Sequence, residues 1–399
     1  MNSTTVASIV IGAVGLAVAT AALLLTRARS DLLGFVGASW KRLRRLLSGP
    51  GRFEAGTFAS RHVIPKSFPE EELLPYEIGE LRFPLIVLVG GDGTTTYEYP
   101  DGIVCSWSSK RYDMPPDLLQ AYPDFLQRRK KAAEANRAVL ENREHIRITD
   151  YSFGLRRPNE DPWPLQLELT TTNYFTTLAT NYSMDQRLPC SQSLREKYCV
   201  DPRDLGNSVL SNPLAVNLSV VTSDKRILLG IRGRKVAINP AQGPGYTPAV
   251  SGTAEVTDKD DTGCYSPFVT ARREAAEEVR SEMPTFESIR FFGLARTLRW
   301  QFPFLFGEMR LRDLTASQVK ALLPRDHWET AGFVDLPFSP EAVIDFVRDV
   351  YRKTDREKIT HSTIYAGLFS LLQSVRYEYP ESWMDFVREL STIETHTTV

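Results

Sequence analysis

Cysteine is scarce in this chain and never closely paired. The 399 residues hold four (Cys105, Cys190, Cys199 and Cys264), with no C-x-x-C among them. That spacing excludes a thiolate zinc ribbon, and so low a count excludes a disulfide-dense scaffold. Histidine is equally thin: His62, His145, His327, His361 and His396 stand far apart, with no zinc-ligand spacing. No internal repeat and no low-complexity tract interrupts the sequence. Neither sign of charge is in excess, since 48 Lys and Arg meet 49 Asp and Glu. Much of the clustered basic charge sits within the first fifty residues, so nucleic-acid binding is disfavoured.

Long apolar runs are also few, and one decides where the protein is expected to live. Residues 6–25 contain Ser8 and Thr20 as their only polar members. Twenty helical residues at about 1.5 Å each cover the roughly 30 Å hydrocarbon core of a bilayer. The five residues before the run carry no charged side chain, whereas a signal peptide has a basic start. Arg27, Arg29, Lys41, Arg42, Arg44 and Arg45 follow it instead, which places the C-terminal side in the cytoplasm. Residues 1–30 are therefore expected to be a single-pass membrane anchor. With the body in the cytoplasm, the cysteines are expected to be reduced thiols. Residues 31–50 interleave Leu32, Leu33, Phe35, Val36 and Trp40 with those cations, as in an amphipathic helix lying on anionic headgroups.

About 350 residues remain, enough for one large or two ordinary domains. Residues 51–150 read as an accessory α+β region. Within it, Phe83 to Val89 runs as a strand into Gly90-Gly91-Asp92-Gly93-Thr94. That loop resembles the nucleotide loop of diacylglycerol-type lipid kinases and NAD kinases. A phosphate loop of that kind opens a helix, but β-branched and aromatic residues follow here, so a hairpin turn is the better reading. Residues 123–144, with Arg128, Arg129, Lys130 and Lys131, read as a solvated helix. Residues 339–350, 360–377 and 380–390 read as C-terminal helices with packing or dimer roles.

The chemistry is carried by Arg273-Glu274-Ala275-Ala276-Glu277-Glu278, on a helix-forming run over residues 271–282. Positions 274, 277 and 278 share one face, so three carboxylates project within about a turn of each other. Like charges at that spacing cost roughly 0.2–0.5 kcal/mol per pair in a bare helix, and a hard divalent cation with oxygen ligands would offset this. An ordinary solvated helix has the same look, and context separates the two. Ser266-Pro267 is a helix start, and strands flank the run at residues 248–256, 289–296 and 304–311.

With its Val279, that run resembles the centre of the Nudix hydrolase signature G-x5-E-x7-R-E-U-x-E-E-x-G-U, with U apolar. Elsewhere the box departs from it. Its leading Gly falls on Lys259, its first Glu on Tyr265, its trailing Gly on Arg280 and its last apolar position on Ser281. Gly252 or Gly263 is the candidate for the first glycine's work. The resemblance covers roughly residues 140–355 and implies a Nudix-type α/β/α sandwich with a mixed sheet over 151–355, with C-terminal helices over 356–399. It also implies an opening hairpin from residues 214–222 and 226–232, turning at Ser223-Asp224-Lys225. Residues 165–181, with Tyr174 and a Thr-Asn pattern, resemble the segment ahead of the domain in the branch that cleaves nucleotide sugars.

By this resemblance Glu274, Glu277 and Glu278 hold Mg²⁺ or Mn²⁺ and carry catalysis, and Arg273 braces them. The implied reaction is hydrolysis of a diphosphate bond in a nucleotide-type substrate by a metal-activated water. The general base stays open among these three glutamates and Glu255, Glu282 and Glu329. Arg232, Arg234 and Arg296 are candidates for phosphate contacts, because a guanidinium fork suits them. The alternatives are an inactive nucleotide-binding protein of the same fold or, less favoured, a lipid kinase. The nucleoside, its leaving group and the oligomeric state stay open.

Overall fold

A computed structural model describes residues 76–78, 81–83, 85–108, 112–135, 140–153, 164–199, 201–232, 246–279, 286–322, 330–352 and 362–392. The expected anchor (1–30) and juxtamembrane helix (31–50) lie outside these residues. Among the described residues, no helix is long and apolar enough to cross a membrane.

The described chain is a mixed α/β structure built on a large mixed sheet. A short pair, β1 (Tyr76–Ile78) and β2 (Leu81–Phe83), precedes β3 (Leu85–Gly90), β4 (Tyr97–Glu98) and β5 (Ile103–Trp107). Helix α1 (Pro116–Ala135) leads to β6 (Glu144–Ser152) and β7 (Leu165–Asn173), then to α2 (Tyr174–Ala179), a 3₁₀ turn (Asn181–Ser183) and α3 (Leu194–Tyr198). Next come β8 (Ala215–Val221), β9 (Arg226–Arg232), β10 (Tyr246–Pro248), β11 (Val250–Thr253) and α4 (Pro267–Glu278). The remainder is β12 (Phe286–Thr297), β13 (Pro303–Leu311), α5 (Ala316–Ala321), β14 (Thr330–Pro337), α6 (Pro340–Arg352), α7 (Ser362–Glu378) and α8 (Trp383–Ser391).

The expected hairpin forms from β8 and β9, with Lys225 in the left-handed region at its turn. Only Val220 and Val221 of β8 pair directly with β9. Beyond them the two strands part. Strand β10 pairs with β9, and β11 pairs with Ala215 to Leu218 of β8. One segment, broken at the buried Ala249, thus wedges the hairpin open. The continuous strand expected over residues 248–256 is in fact this broken pair. On its other edge β8 runs parallel to β13, and β12 follows antiparallel.

Strands β3 and β4 both run antiparallel to β12, pairing with its residues Gly293 to Thr297 and Arg290 to Phe291 respectively. They are two pieces of one strand position, so the loop Gly90 to Thr96 is an excursion between collinear segments and not the expected hairpin turn. It opens no helix. Asp92 accepts hydrogen bonds from the amides of Thr94 (2.9 Å) and Thr95 (2.7 Å), folding the loop on itself. Burial works to raise the Asp92 pKa, but these bonds outweigh it and the net shift is downward. Gly93 has φ +82°, and Arg376 of α7 packs where a side chain would sit.

The boundary expected at residue 150 does not separate two sheets. Strands β3 and β4 belong to the large sheet, while β5, β7 and β6 form a three-stranded sheet that spans residue 150. Helix α1 starts before the expected residue 123 and carries Pro123 inside it, because Leu118, Ala121 and Phe125 bury one face together with Leu188 and Leu194. Tertiary packing overrides the local cost of the proline.

Alternation along β8 fixes what covers each face of the sheet. Val216, Leu218 and Val220 join Phe268, Ala271 and Ala275 of α4 in one core cluster. Val221, with the half-buried Ala215, joins Leu368, Leu371 and Leu372 of α7 in another. Helices α4 and α7 therefore lie on opposite faces. The C-terminal helices are packing elements of the sheet.

Candidate functional site

Helix α4 begins where expected, with Ser266 as N-cap and Pro267 at its first position, and ends at Glu278. Its apolar stripe is buried against the sheet. That orientation rolls Glu274 and Glu278 inward with it, to 8% and 9% exposure, while the Glu277 side chain keeps 37%. The three expected carboxylates are thus two buried and one at the rim.

Strand β11 passes directly over the buried pair. The Ser251 amide donates to Glu278 Oε2 at 3.3 Å. At Gly252, a Cβ would collide with the Glu274 carboxylate. A glycine is required there by close approach, whereas Gly263 has φ +79° and open space beside it. Of the two candidate glycines, Gly252 is the one at the carboxylates.

Arg273 is the cation of the site. Its Nη1 reaches Glu274 Oε1 at 2.8 Å and Glu277 Oε2 at 3.4 Å. Its Nε and Nη2 form a two-pronged pair with Asp258, at 2.8 and 3.1 Å, and Nη2 also donates to the Thr253 carbonyl at 3.0 Å. Burial alone would lower the Arg273 pKa, but Asp258, Glu274 and Glu277 reverse this and raise it.

Asp258 is a site residue that the sequence gave no reason to single out from its acidic loop. It is 2% exposed and also accepts from Thr270 Oγ1 at 2.8 Å and from the Glu255 amide at 2.9 Å. Tyr265, at the first-glutamate position of the signature, is buried and hydrogen-bonded to Thr270 at 3.2 Å. The spacing of the signature thus points to the wrong residue for a carboxylate: the one that holds Arg273 lies seven positions earlier.

Glu255, a candidate base, pairs with Arg143 at 3.4 Å and bridges to His145 of β6. His145 is buried, its Nδ1 has no hydrogen-bond partner, and burial lowers its pKa to about 4. Glu282 and Glu329 lie outside the described residues.

The arginine candidates fare differently. Arg232 closes β9, and neither its side chain nor Arg234 is described. Arg296 is no phosphate contact: it is 0% exposed. Its guanidinium donates to the carbonyls of Gln301 (2.8 Å) and Pro202 (2.7 Å) and to Asn212 Oδ1 (2.7 Å). Burial lowers its pKa to about 10. Sequence cannot separate such a strut from a surface arginine, because two of these acceptors, at Pro202 and Asn212, come from a distant loop.

The Thr-Asn pattern of residues 165–181 is likewise spent on structure. Asn173 caps α2 through the Thr176 amide at 2.9 Å. Thr172 and Thr177 share Ser211 Oγ at 2.6 and 2.8 Å, and Asn181 donates to the Trp300 carbonyl at 2.8 Å.

Among the described residues, no group of three or more His, Cys, Asp or Glu side chains is gathered as a metal site. The reason at α4 is visible: Arg273 already spans Glu274 and Glu277. The donor chemistry nonetheless suits a hard cation, since Asp258, Glu274 and Glu277 present three carboxylates to the guanidinium and Glu278 is held close by at the Ser251 amide.

No protein-family model matches the chain, and no curated protein matches it. Among solved structures, the crystal structure of DR0079 from Deinococcus radiodurans aligns with 34% of this chain and 72% of its own length. Identity is 16% and the TM-score is 0.24, a likeness too low to carry an argument.

Proposed function

We propose that this protein is a membrane-anchored, Mg²⁺- or Mn²⁺-dependent pyrophosphohydrolase of the Nudix type. Its substrate class is a nucleoside diphosphate joined to another group, with nucleotide sugars the first to test. The observation that supports this best is the pair of buried carboxylates, Glu274 and Glu278, brought together under β11 beside the rim carboxylate of Glu277. Carboxylate oxygens gathered on one helix face are the donors that a hard divalent cation takes.

Glu274, Glu277 and Glu278 would hold the metal, which when bound supplies charge neutralisation at phosphate oxygens and an acidified water. The chain's own residues do the positioning. Asp258 fixes the Arg273 guanidinium from behind, and Arg273 in turn fixes Glu274. Gly252 keeps the backbone thin where the carboxylate needs room. Glu255, paired with Arg143, stays one candidate for the proton acceptor beside the three glutamates themselves.

The test is Mg²⁺-dependent cleavage by the full-length protein of a panel of nucleotide sugars, dinucleotides and nucleoside triphosphates. A nucleoside monophosphate and a sugar phosphate are the expected products. Glu278→Gln should lose roughly two to four orders of magnitude in rate, with substrate binding largely kept. Arg273 spanning Glu274 and Glu277 favours a second reading, a binding protein without turnover. Ligands that raise the melting temperature without being consumed would decide for it. A lipid kinase has no such support, because the Gly-Gly-Asp-Gly-Thr loop leads into β4 and not into a helix.

A further inference from the structure

The basic run at residues 128–131 is not uniformly solvated. Arg129 and Lys130 are half-buried, and Lys130 lies over the Phe175 ring at 4.1 Å. Arg129 Nε reaches only Ser183 Oγ, at 3.5 Å, the outer limit of a hydrogen bond. Next to Ser183, the Tyr182 ring packs edge-on against Trp300, with centroids 5.0 Å apart. The guanidinium of Arg299, also half-buried, lies 4.9 Å from the same Trp300 ring.

The nearby acid is already committed. Asp185 uses both oxygens on Arg195, at 2.7 and 3.2 Å. Among the described residues, neither Arg129 nor Arg299 hydrogen-bonds a carboxylate. Arg129 and Arg299 thus share the field of Asp185 with Arg195, beside an aromatic wall. Burial lowers the pKa of both Arg129 and Arg299, and Arg299 adds to the lowering at Arg129. Asp185 offsets part of this at both arginines, but one carboxylate shared with Arg195 leaves room for a further anion between the two half-buried guanidinium groups.

We propose that Arg129 and Arg299 form a binding site for a phosphoryl oxyanion, walled by Tyr182 and Trp300. Planar guanidinium forks match the oxygens of such a group, and the aromatic wall keeps solvent from screening the contact. The site stands apart from the α4 carboxylates and needs neither metal nor turnover, so it holds or fails independently of the hydrolase reading.

The experiment is calorimetric titration and thermal melting of the full-length protein in metal-free buffer, with inorganic phosphate and UDP as probes. Both should bind saturably and raise the melting temperature, beyond any effect of sodium chloride at equal ionic strength. Tighter binding of UDP would assign the phosphoryl group to a nucleotide, and equal binding to free phosphate. Arg129→Gln and Arg299→Gln should each weaken affinity roughly tenfold, the scale of one charge-assisted bond. The double variant should lose the response. The unliganded variants should melt no lower than the parent, since mutual repulsion is removed. A double variant that still responds, or a parent that responds to neither probe, overturns the site. So does a fall of several degrees in unliganded melting with affinity unchanged, which would make the arginines packing struts.

Discussion

Two regions of this molecule bury charge, and they do it in opposite ways. At α4, the buried Glu274 and Asp258 are held by the side chain of Arg273. In the segment of residues 199–213, the ions are arginines and their partners are mostly backbone carbonyls. Arg296 reaches Pro202 and Gln301, and Arg147 reaches Ser208 and Leu210. Carbonyl dipoles are neutral, fixed and cannot be titrated away, so that arrangement stabilises an irregular loop and meets the donors without cancelling their charge. Side-chain partners, by contrast, can be exchanged or titrated. The first solution suits a site, the second a scaffold.

The largest expected effect breaks the scaffold side. Arg296→Ala strands several buried carbonyls and opens a cavity, and should cost roughly 3–5 kcal/mol in urea unfolding. Arg296→Lys cannot reproduce the fork and should recover less than half of this. Wild-type stability in the lysine variant would show that the carbonyl cage is not what holds the loop.

Strand β6 touches both regions, with His145 bridged to Glu255 and Arg147 to Pro213. Its histidine sharpens the comparison through pH. The folded-state pKa is lowered to about 4 from an ordinary value of 6.5, so the unfolded chain binds the extra proton in between. The stability His145 contributes is therefore complete above 6.5 and lost as pH falls toward 4, by about 3 kcal/mol. A His145→Phe variant should lose that slope when unfolding is followed between these pH values. An unchanged slope would place its origin elsewhere.

On the site side, Asp258→Asn halves the anchor of Arg273 and should cost about 1–3 kcal/mol, read by thermal melting. The smallest effect is expected at Glu277→Gln, within about 1 kcal/mol, because its bond to Arg273 is long and its side chain is partly exposed. A larger loss there would mean that the rim carboxylate is as structural as the buried pair.

Local patterning made α4, the β8–β9 hairpin and the C-terminal helices legible. Pro267 after Ser266 marked a start, and alternation in Ala215–Val221 marked a strand with two buried faces. What stayed hidden depends on distant partners. Asp258 looks like Asp260 and Asp261 until Arg273 is seen against it. Arg296 looks like any strand-end arginine until residues 202–212 close over it. The joining of β3 and β4 to β12 spans about two hundred residues, and no periodicity reports such a pairing. The proposed anion site was missed because a run of four cations reads as solvated, although only two of them face water.

The wedge in the β8–β9 hairpin also ties the site to the sheet. Beyond its first two rungs the hairpin takes its pairing from residues 246–253 and not from itself. Those residues include Ser251 and Gly252, the backbone that lies over Glu278 and Glu274. The segment that fills the gap between the two strands is therefore also the roof of the candidate site.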